Sequence, residues 1–182
     1  MPRVNFVCHA TNVQDLPEIS RQSDRMFEQT LATNELIDNV PMPDENGRFD
    51  TKVVVLLRED LMPWQELNVT AFLMSGITTS APNLTGEKYV DADGNEYLPM
   101  LRQPVLVMTA SAELLASARS KALGRGIPVA VYTEELFSTG HDSANRAQVA
   151  AVSAVELNLV GIALRGPKNA VDRVVKGAVM HV

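Results

Sequence analysis

Five polar residues lie where predicted strands give way to the next element: Arg58, Asp60, Asn68, Glu134 and Arg165. If the strands are parallel, their carboxyl ends meet at one edge of the sheet, where ligands usually bind. Two carboxylates, two guanidinium groups and an amide are suited to hold a small polar ligand, with Asn68 and Glu134 as candidate catalytic groups. The alternative is an ion-pair network across that edge, with Asn68 serving only as a helix cap. Both interpretations stay open.

Other groups of reactive residue types give weaker signals. Asp91–Asn95 lacks the third ligand and the distant glutamate of a calcium loop, so a hairpin turn is favoured. Cys8 and His9 are adjacent and would point to opposite faces of a strand. Ser138–Ser143 contains the residue types of a hydrolytic triad within one loop, whereas triads are assembled from distant segments. We therefore predict no metal site and no cofactor.

Alternating strands and helices must position the five polar residues. Val53–Leu57 is an unbroken apolar run, which is typical of a strand covered on both faces. Asn68 is predicted to cap the helix that follows, and Ser111 and Pro167 to begin two more. The remaining strands are predicted at Pro104–Met108, Ile127–Tyr132 and Leu157–Leu164. The predicted fold is α/β, a three-layer α-β-α arrangement with a small, mostly parallel (mixed), four-stranded sheet.

A helical extension is predicted to precede this domain. Residues 1–50 contain a short strand, an amphipathic helix with Met26, Phe27 and Leu31 on one face, and a linker at Val40–Gly47. The α/β domain would then span residues 51–182. The extension could cover its own sheet or reach a neighbouring copy.

Composition limits the classes of function. The net charge of −6 divides into −5 for residues 1–51, −4 for residues 52–100 and +3 for residues 101–182. A nucleic-acid-binding face is not expected, because lysines and arginines do not cluster with aromatic residues. One cysteine excludes an internal disulfide framework. Without a signal peptide or an apolar run of about 20 residues, the chain is predicted to be cytoplasmic, with no membrane partner.

The order of elements resembles that of the type II (archaeal-type) peptidyl-tRNA hydrolases. The resemblance involves Lys52–Asp60, Pro104–Met108, Gly126-Ile127-Pro128, Val160-Gly161-Ile162 and Gly166-Pro167-Lys168. The hairpin at Asp93-Gly94 and the segment Gly161–Gly166 look closer to a bacterial family of unknown function that shares this fold. The resemblance covers residues 52–182 and implies a four-stranded mixed sheet with helices on both faces, often in a homodimer or higher homo-oligomer.

The resemblance does not extend to the residues that would bind tRNA. The hydrolases carry a Gly-Lys-Gly-Lys loop, and the matching stretch here, Met62–Asn68, has no lysine. Their acidic residue would correspond to Glu134. Because phosphate contacts supply most of the affinity for nucleic acid, binding of tRNA is not expected. Three functions remain. The edge of the sheet where the carboxyl ends of the strands meet, called the rim below, could bind a small polar ligand or a protein partner without catalysis. Alternatively, Glu134 and a bound water could hydrolyse an ester, or the domain could have an oligomerising structural role.

Overall fold

The computed structural model describes Gly47 and residues 49–182. The predicted strand, helix and most of the linker of residues 1–50 lie outside the described residues. The strands are β1 (Thr51–Arg58), β2 (Tyr89–Val90), β3 (Glu96–Tyr97), β4 (Val105–Ala110), β5 (Val129–Thr133), β6 (Leu159–Pro167) and β7 (Val179–Met180). The helices are α1 (Pro63–Ser80), α2 (Ala112–Leu123), α3 (Asp142–Ala150) and α4 (Lys168–Val174), with 3₁₀ turns at Pro82–Leu84, Glu134–Ser138 and Ala154–Glu156.

The main sheet has five strands in the order β5-β6-β1-β4-β7. Only the β1–β4 pair is parallel, and the other three neighbouring pairs are antiparallel. Strands β1, β4 and β5 therefore run in one direction, while β6 and β7 run in the other. The α/β class and the mixed sheet are confirmed. The prediction of four strands is wrong, because a fifth strand, β7, pairs with β4 and is too short to be recognised in the sequence. The prediction of mostly parallel pairing is wrong, because β6 runs antiparallel to both of its neighbours.

Strand β1 is the centre of the core. The side chains of Val53–Leu57 are at most 1% exposed, as expected for an apolar run covered on both faces. Helix α1 lies over β6, β5 and β1, while α2 and α4 lie over β6 and β1 on the opposite face. Gly161 in β6 permits the close approach of α1, since a Cβ atom there would lie 2.5 Å from Val69 Cγ1. The three layers are thus in place around β1 and β6.

The boundaries of two helices differ from the prediction. Helix α1 begins at Pro63, where the missing N–H of proline is harmless, and its first turn is closed by the Met62 N–H donating to Gln65 Oε1 at 2.9 Å. Asn68 therefore lies inside the helix and does not cap it. Helix α3 begins within a segment predicted as loop, and the His141 ring accepts the Ala144 N–H at its start. The Ser111 cap of α2 is confirmed, with its hydroxyl accepting the Leu114 N–H.

The two short strands β2 and β3 form the predicted hairpin, with Tyr89 opposite Tyr97. Gly94 takes a positive φ of 87° in its turn, a conformation that favours glycine. Within the described part of the chain, no helix is both long enough and apolar enough to span a bilayer.

Candidate functional site

The carboxyl ends of β1 and β5 are joined by an ion-pair cluster around Arg58. Its guanidinium donates from Nη2 to Glu134 Oε2 at 2.7 Å, from Nε to Asp60 Oδ1 at 2.5 Å and from Nη1 to Asn158 Oδ1 at 3.1 Å. The Arg58 side chain is 16% exposed, whereas that of Glu134 is 40% exposed. Three of the five predicted residues, Arg58, Asp60 and Glu134, are therefore brought together, and Arg58 fixes the Glu134 carboxylate at the rim.

The charge of this rim is predominantly negative. Partial burial alone would lower the pKa of Arg58, but hydrogen bonds to Asp60 and Glu134 and their negative charges outweigh it and raise that pKa. Glu59 and Glu135 add two exposed carboxylates beside the pair. One arginine is thus paired with two carboxylates, and two more carboxylates follow in the adjoining sequence, which favours a cationic ligand over an anionic one.

Four aromatic side chains lie next to this cluster and were not singled out from the sequence. Trp64 contacts Phe137 edge to face, with ring centroids 5.5 Å apart. Phe137 contacts Tyr132 at 5.1 Å, and Tyr132 contacts Phe72 at 5.8 Å. Such pairs stabilise a surface beyond the area that they bury. The spacing of Trp64, Asn68 and Phe72, four residues apart on one helix face, was the signal in the sequence that could have revealed them.

Asn68 belongs to the aromatic group rather than to the charged one. The Tyr132 hydroxyl donates to Asn68 Oδ1 at 3.1 Å, and burial raises the pKa of Tyr132. Trp64 and Phe72 are 57% and 53% exposed, so the group is open to solvent on its outer side. The corner between β1 and α1, from Arg58 to Trp64, and the turn after β5 are consequently linked twice, by Arg58–Glu134 and by Trp64–Phe137. We call this surface the rim site; it comprises the ion-pair cluster of Arg58, Asp60 and Glu134 and the aromatic group of Trp64, Phe72, Tyr132 and Phe137 with Asn68.

Arg165 does not belong to the rim site. Strand β6 runs antiparallel to β1, and Arg165 is opposite Val53 near the beginning of β1. The prediction that Arg165 joins the other four residues assumed parallel strands and is wrong. Its side chain is at the opposite end of the sheet and is 6% exposed.

The remaining polar motifs have local structural roles. The Asp91 carboxylate accepts hydrogen bonds from the Asn95 side chain, the Tyr97 hydroxyl and the backbone N–H groups of Asp93 and Asn95. These bonds close the hairpin turn and lower the pKa of Asp91 to about 2. Ser143 Oγ lies 2.9 Å from His141 Nδ1 within the start of α3. No group of three or more potential metal-ligating side chains occurs in the described part of the chain.

A second surface feature lies on the other flank of α1. A groove of about 650 Å³ runs between α1 and β4, with Leu67, Ala71 and Met74 on one side and Val105 and Val107 on the other. At one end of the groove, His181 Nε2 lies 3.1 Å from Glu66 Oε1. Apart from Thr70, the rest of the lining is apolar, so most of the groove offers contact area.

Comparison with known proteins places the chain in a family. A family model described as "Protein of unknown function (DUF2000)" matches residues 51–182. The structure of Atu0240, a protein of unknown function from Agrobacterium tumefaciens strain C58, is 46% identical and aligns with a TM-score of 0.72. The match covers 74% of this chain and 100% of that one. No curated protein matches. The chain belongs to the DUF2000 family of proteins of unknown function.

Proposed function

We propose that this protein is a binding domain without hydrolase activity, and that its rim site takes a small organic cation such as an amine. One observation carries the proposal. The exposed Trp64–Phe137 pair links the same two segments as the Arg58–Glu134 ion pair, so aromatic surface and carboxylate adjoin at the rim. Aromatic faces beside carboxylates recognise ammonium groups through cation–π attraction and charge.

The sign of the charge supports a cation. Arg58 is already neutralised by Asp60 and Glu134, and Glu59 and Glu135 remain as additional carboxylates. A phosphate or carboxylate ligand would meet a net negative field at this end of the sheet. An amine would replace part of the hydration of Glu134 without displacing Arg58, because the Glu134 side chain is 40% exposed.

Trp64 provides a direct test, because it is the only tryptophan in the chain. We expect its fluorescence to change saturably when tetramethylammonium, choline or a short diamine is titrated into the full-length protein. Glu134→Gln should weaken binding about fivefold, since one charge at a partly exposed site contributes about 1 kcal/mol. Glu87→Gln removes the same charge from an exposed position away from the rim and is the matched control.

Two results would contradict this function. Acetate could change the Trp64 signal as strongly as the amines, which would show that the response is not selective for cations. Alternatively, Glu134→Gln and Glu87→Gln could bind the amines equally well, which would remove Glu134 from the site.

The hydrolase alternative lacks comparable support. Glu134 Oε2 accepts from Arg58, and the Asn68 amide oxygen accepts from Tyr132, so both candidate catalytic side chains are engaged in structural contacts. The stretch Met62–Asn68 also lacks the lysines that would attract tRNA phosphates. An acidic rim would repel such a substrate.

Self-association is a second candidate function, supported by the composition of α1. Glu66 is the only charged residue among the 18 of this helix, although surface helices normally carry charges on their outer face. Leu67 is 74% exposed, and the groove continues this surface toward β4. We propose a second copy of the chain as the occupant, since packing α1 against its equivalent across a two-fold axis covers two uncharged faces at once.

The oligomeric state in solution tests this second candidate. A stable interface needs about 800 Å² per partner, so a single charge at its centre should dissociate it. Leu67→Glu should shift the mass measured by light scattering from dimer to monomer. Leu98→Glu, at a leucine after the hairpin that is 85% exposed, should leave the dimer intact. A monomeric wild-type protein would overturn the candidate.

A further inference from the structure

Arg165 is a buried cation whose hydrogen-bonding donors are not all used. The residue is only 6% exposed to solvent. Its Nε and Nη2 atoms are buried and have no hydrogen-bond acceptor among the described residues. Arginine carries its charge at every physiological pH, so it cannot relieve this burial by losing a proton. Some other group must supply the acceptors if the burial is to be compensated.

The identity of the two unused donors points to the chemistry of the missing acceptor. Nε–H and Nη2–H lie side by side on one edge of the guanidinium plane, and together they match the two oxygens of a carboxylate. Arg119, which is 5% exposed, has an unpartnered Nε as well, but it differs because its Nη1 donates to the Ala154 carbonyl and its Nη2 to Ser120 Oγ. Arg58 differs because its carboxylate partners are Asp60 and Glu134.

The position of Arg165 separates it from the rim site. It is opposite Val53 at the beginning of β1, whereas the rim lies beyond Arg58 at the end of the same strand. The neighbouring Gly166 faces Ile127 and Val171, in the layer of α2 and α4. Because successive residues of a strand face opposite ways, Arg165 faces the α1 layer. A group bound there would approach from the α1 side of the sheet, at the end away from Glu134.

We infer that Arg165 binds a carboxylate through its Nε and Nη2 edge, at a second site distinct from the rim. The carboxylate belongs either to a small free organic acid or to an acidic side chain of a second copy. Both sources present the same two oxygens to the same two donors. The inference is independent of the cation proposed for the rim, since the two sites share no residue and bind opposite charges.

Thermal unfolding of the full-length protein distinguishes the two sources. A free acid should raise Tm saturably, by about 5 °C at high concentration, when acetate or succinate replaces chloride at constant ionic strength. A carboxylate from a second copy should instead make Tm rise with protein concentration and leave it unchanged by acetate. Either response should be lost in Arg165→Met and strongly reduced in Arg165→Lys, which keeps the charge without the planar edge.

Arg119→Met is the matched control, because it removes a second buried arginine whose two Nη groups already have neutral acceptors, so that no free Nε–Nη2 edge is left for a carboxylate. It should lower Tm while leaving the response to acetate or to protein concentration intact. If the wild-type Tm depends on neither variable, no carboxylate from either source binds Arg165 and the inference fails. This outcome needs no variant to fold, so it applies even if the Arg165 substitutions prevent folding. Equal responses in Arg165→Lys and in the wild type would also contradict the proposed geometry.

Discussion

Replacing Gly161 with alanine should disturb the contact between α1 and the sheet more than any polar change at the rim. The new Cβ would lie 2.5 Å from Val69 Cγ1, 3.1 Å from Leu73 Cδ1 and 3.3 Å from the Leu56 carbonyl oxygen. Carbon atoms prefer separations of about 3.5–4.0 Å, so Val69 must move by roughly 1 Å. Val69 and Leu73 are at most 2% exposed and have little room to move.

The expected loss follows from overpacking of a closed core. Added methyl groups in tightly packed cores destabilise by about 1–3 kcal/mol, and three close contacts at once favour the upper half of that range. For a domain of this size, a loss of about 2–3 kcal/mol lowers Tm by roughly 6–12 °C. Chemical denaturation followed by circular dichroism measures the free energy of unfolding. Gly140→Ala is the control, because a Cβ there meets nothing within 4 Å.

A second substitution isolates the contact itself. Val69→Ala removes both γ-methyl groups and alone should cost about 1–3 kcal/mol. In the Gly161→Ala background it should cost about 1–2 kcal/mol less, because it also removes the clash. Strictly additive losses, or a Gly161→Ala protein as stable as the wild type, would refute the idea that this glycine is needed for the approach of α1. In that case the position of Asn68 and Trp64 over β5 would need another explanation.

Two further predictions concern the hairpin and tRNA. The Asp91 carboxyl should titrate near pH 2 by NMR rather than near its ordinary value of 3.8, because its hydrogen bonds favour the ionised form. Its stabilisation of the turn is therefore present above pH 4 and lost as the pH falls through about 2, and a midpoint near 4 would contradict the bonding to Asn95 and Tyr97. The unmodified protein should not cleave peptidyl-tRNA, and salt-sensitive turnover of that substrate at substoichiometric enzyme would show that the acidic rim does not exclude nucleic acid.

The apolar runs were sufficient to predict the central part of the fold. Val53–Leu57 is a strand covered on both faces because five consecutive apolar residues leave no wet side. Helix α2 was predicted because the Ser111 cap is a local interaction between a side chain and its own first turn. Strand β7 could not be predicted, since its two residues are stabilised by pairing with Met108 and Thr109 rather than by any local pattern. Helix α3 has no buried residue, so it leaves no apolar periodicity to detect.

The candidate site shows why strand direction matters more than strand existence. An apolar run is equally compatible with parallel and antiparallel pairing, because both alternate side chains in the same way. All four predicted strands are present, yet the reversed direction of β6 alone moves Arg165 from one end of the sheet to the other. The rim then loses its second positive charge, and one arginine is left facing Asp60 and Glu134. The same reversal buries Arg165 where no carboxylate of the described residues reaches it. The direction of a single strand thus changes the rim from a balanced polar site to an acidic one, and it creates the need for an acceptor at the other end.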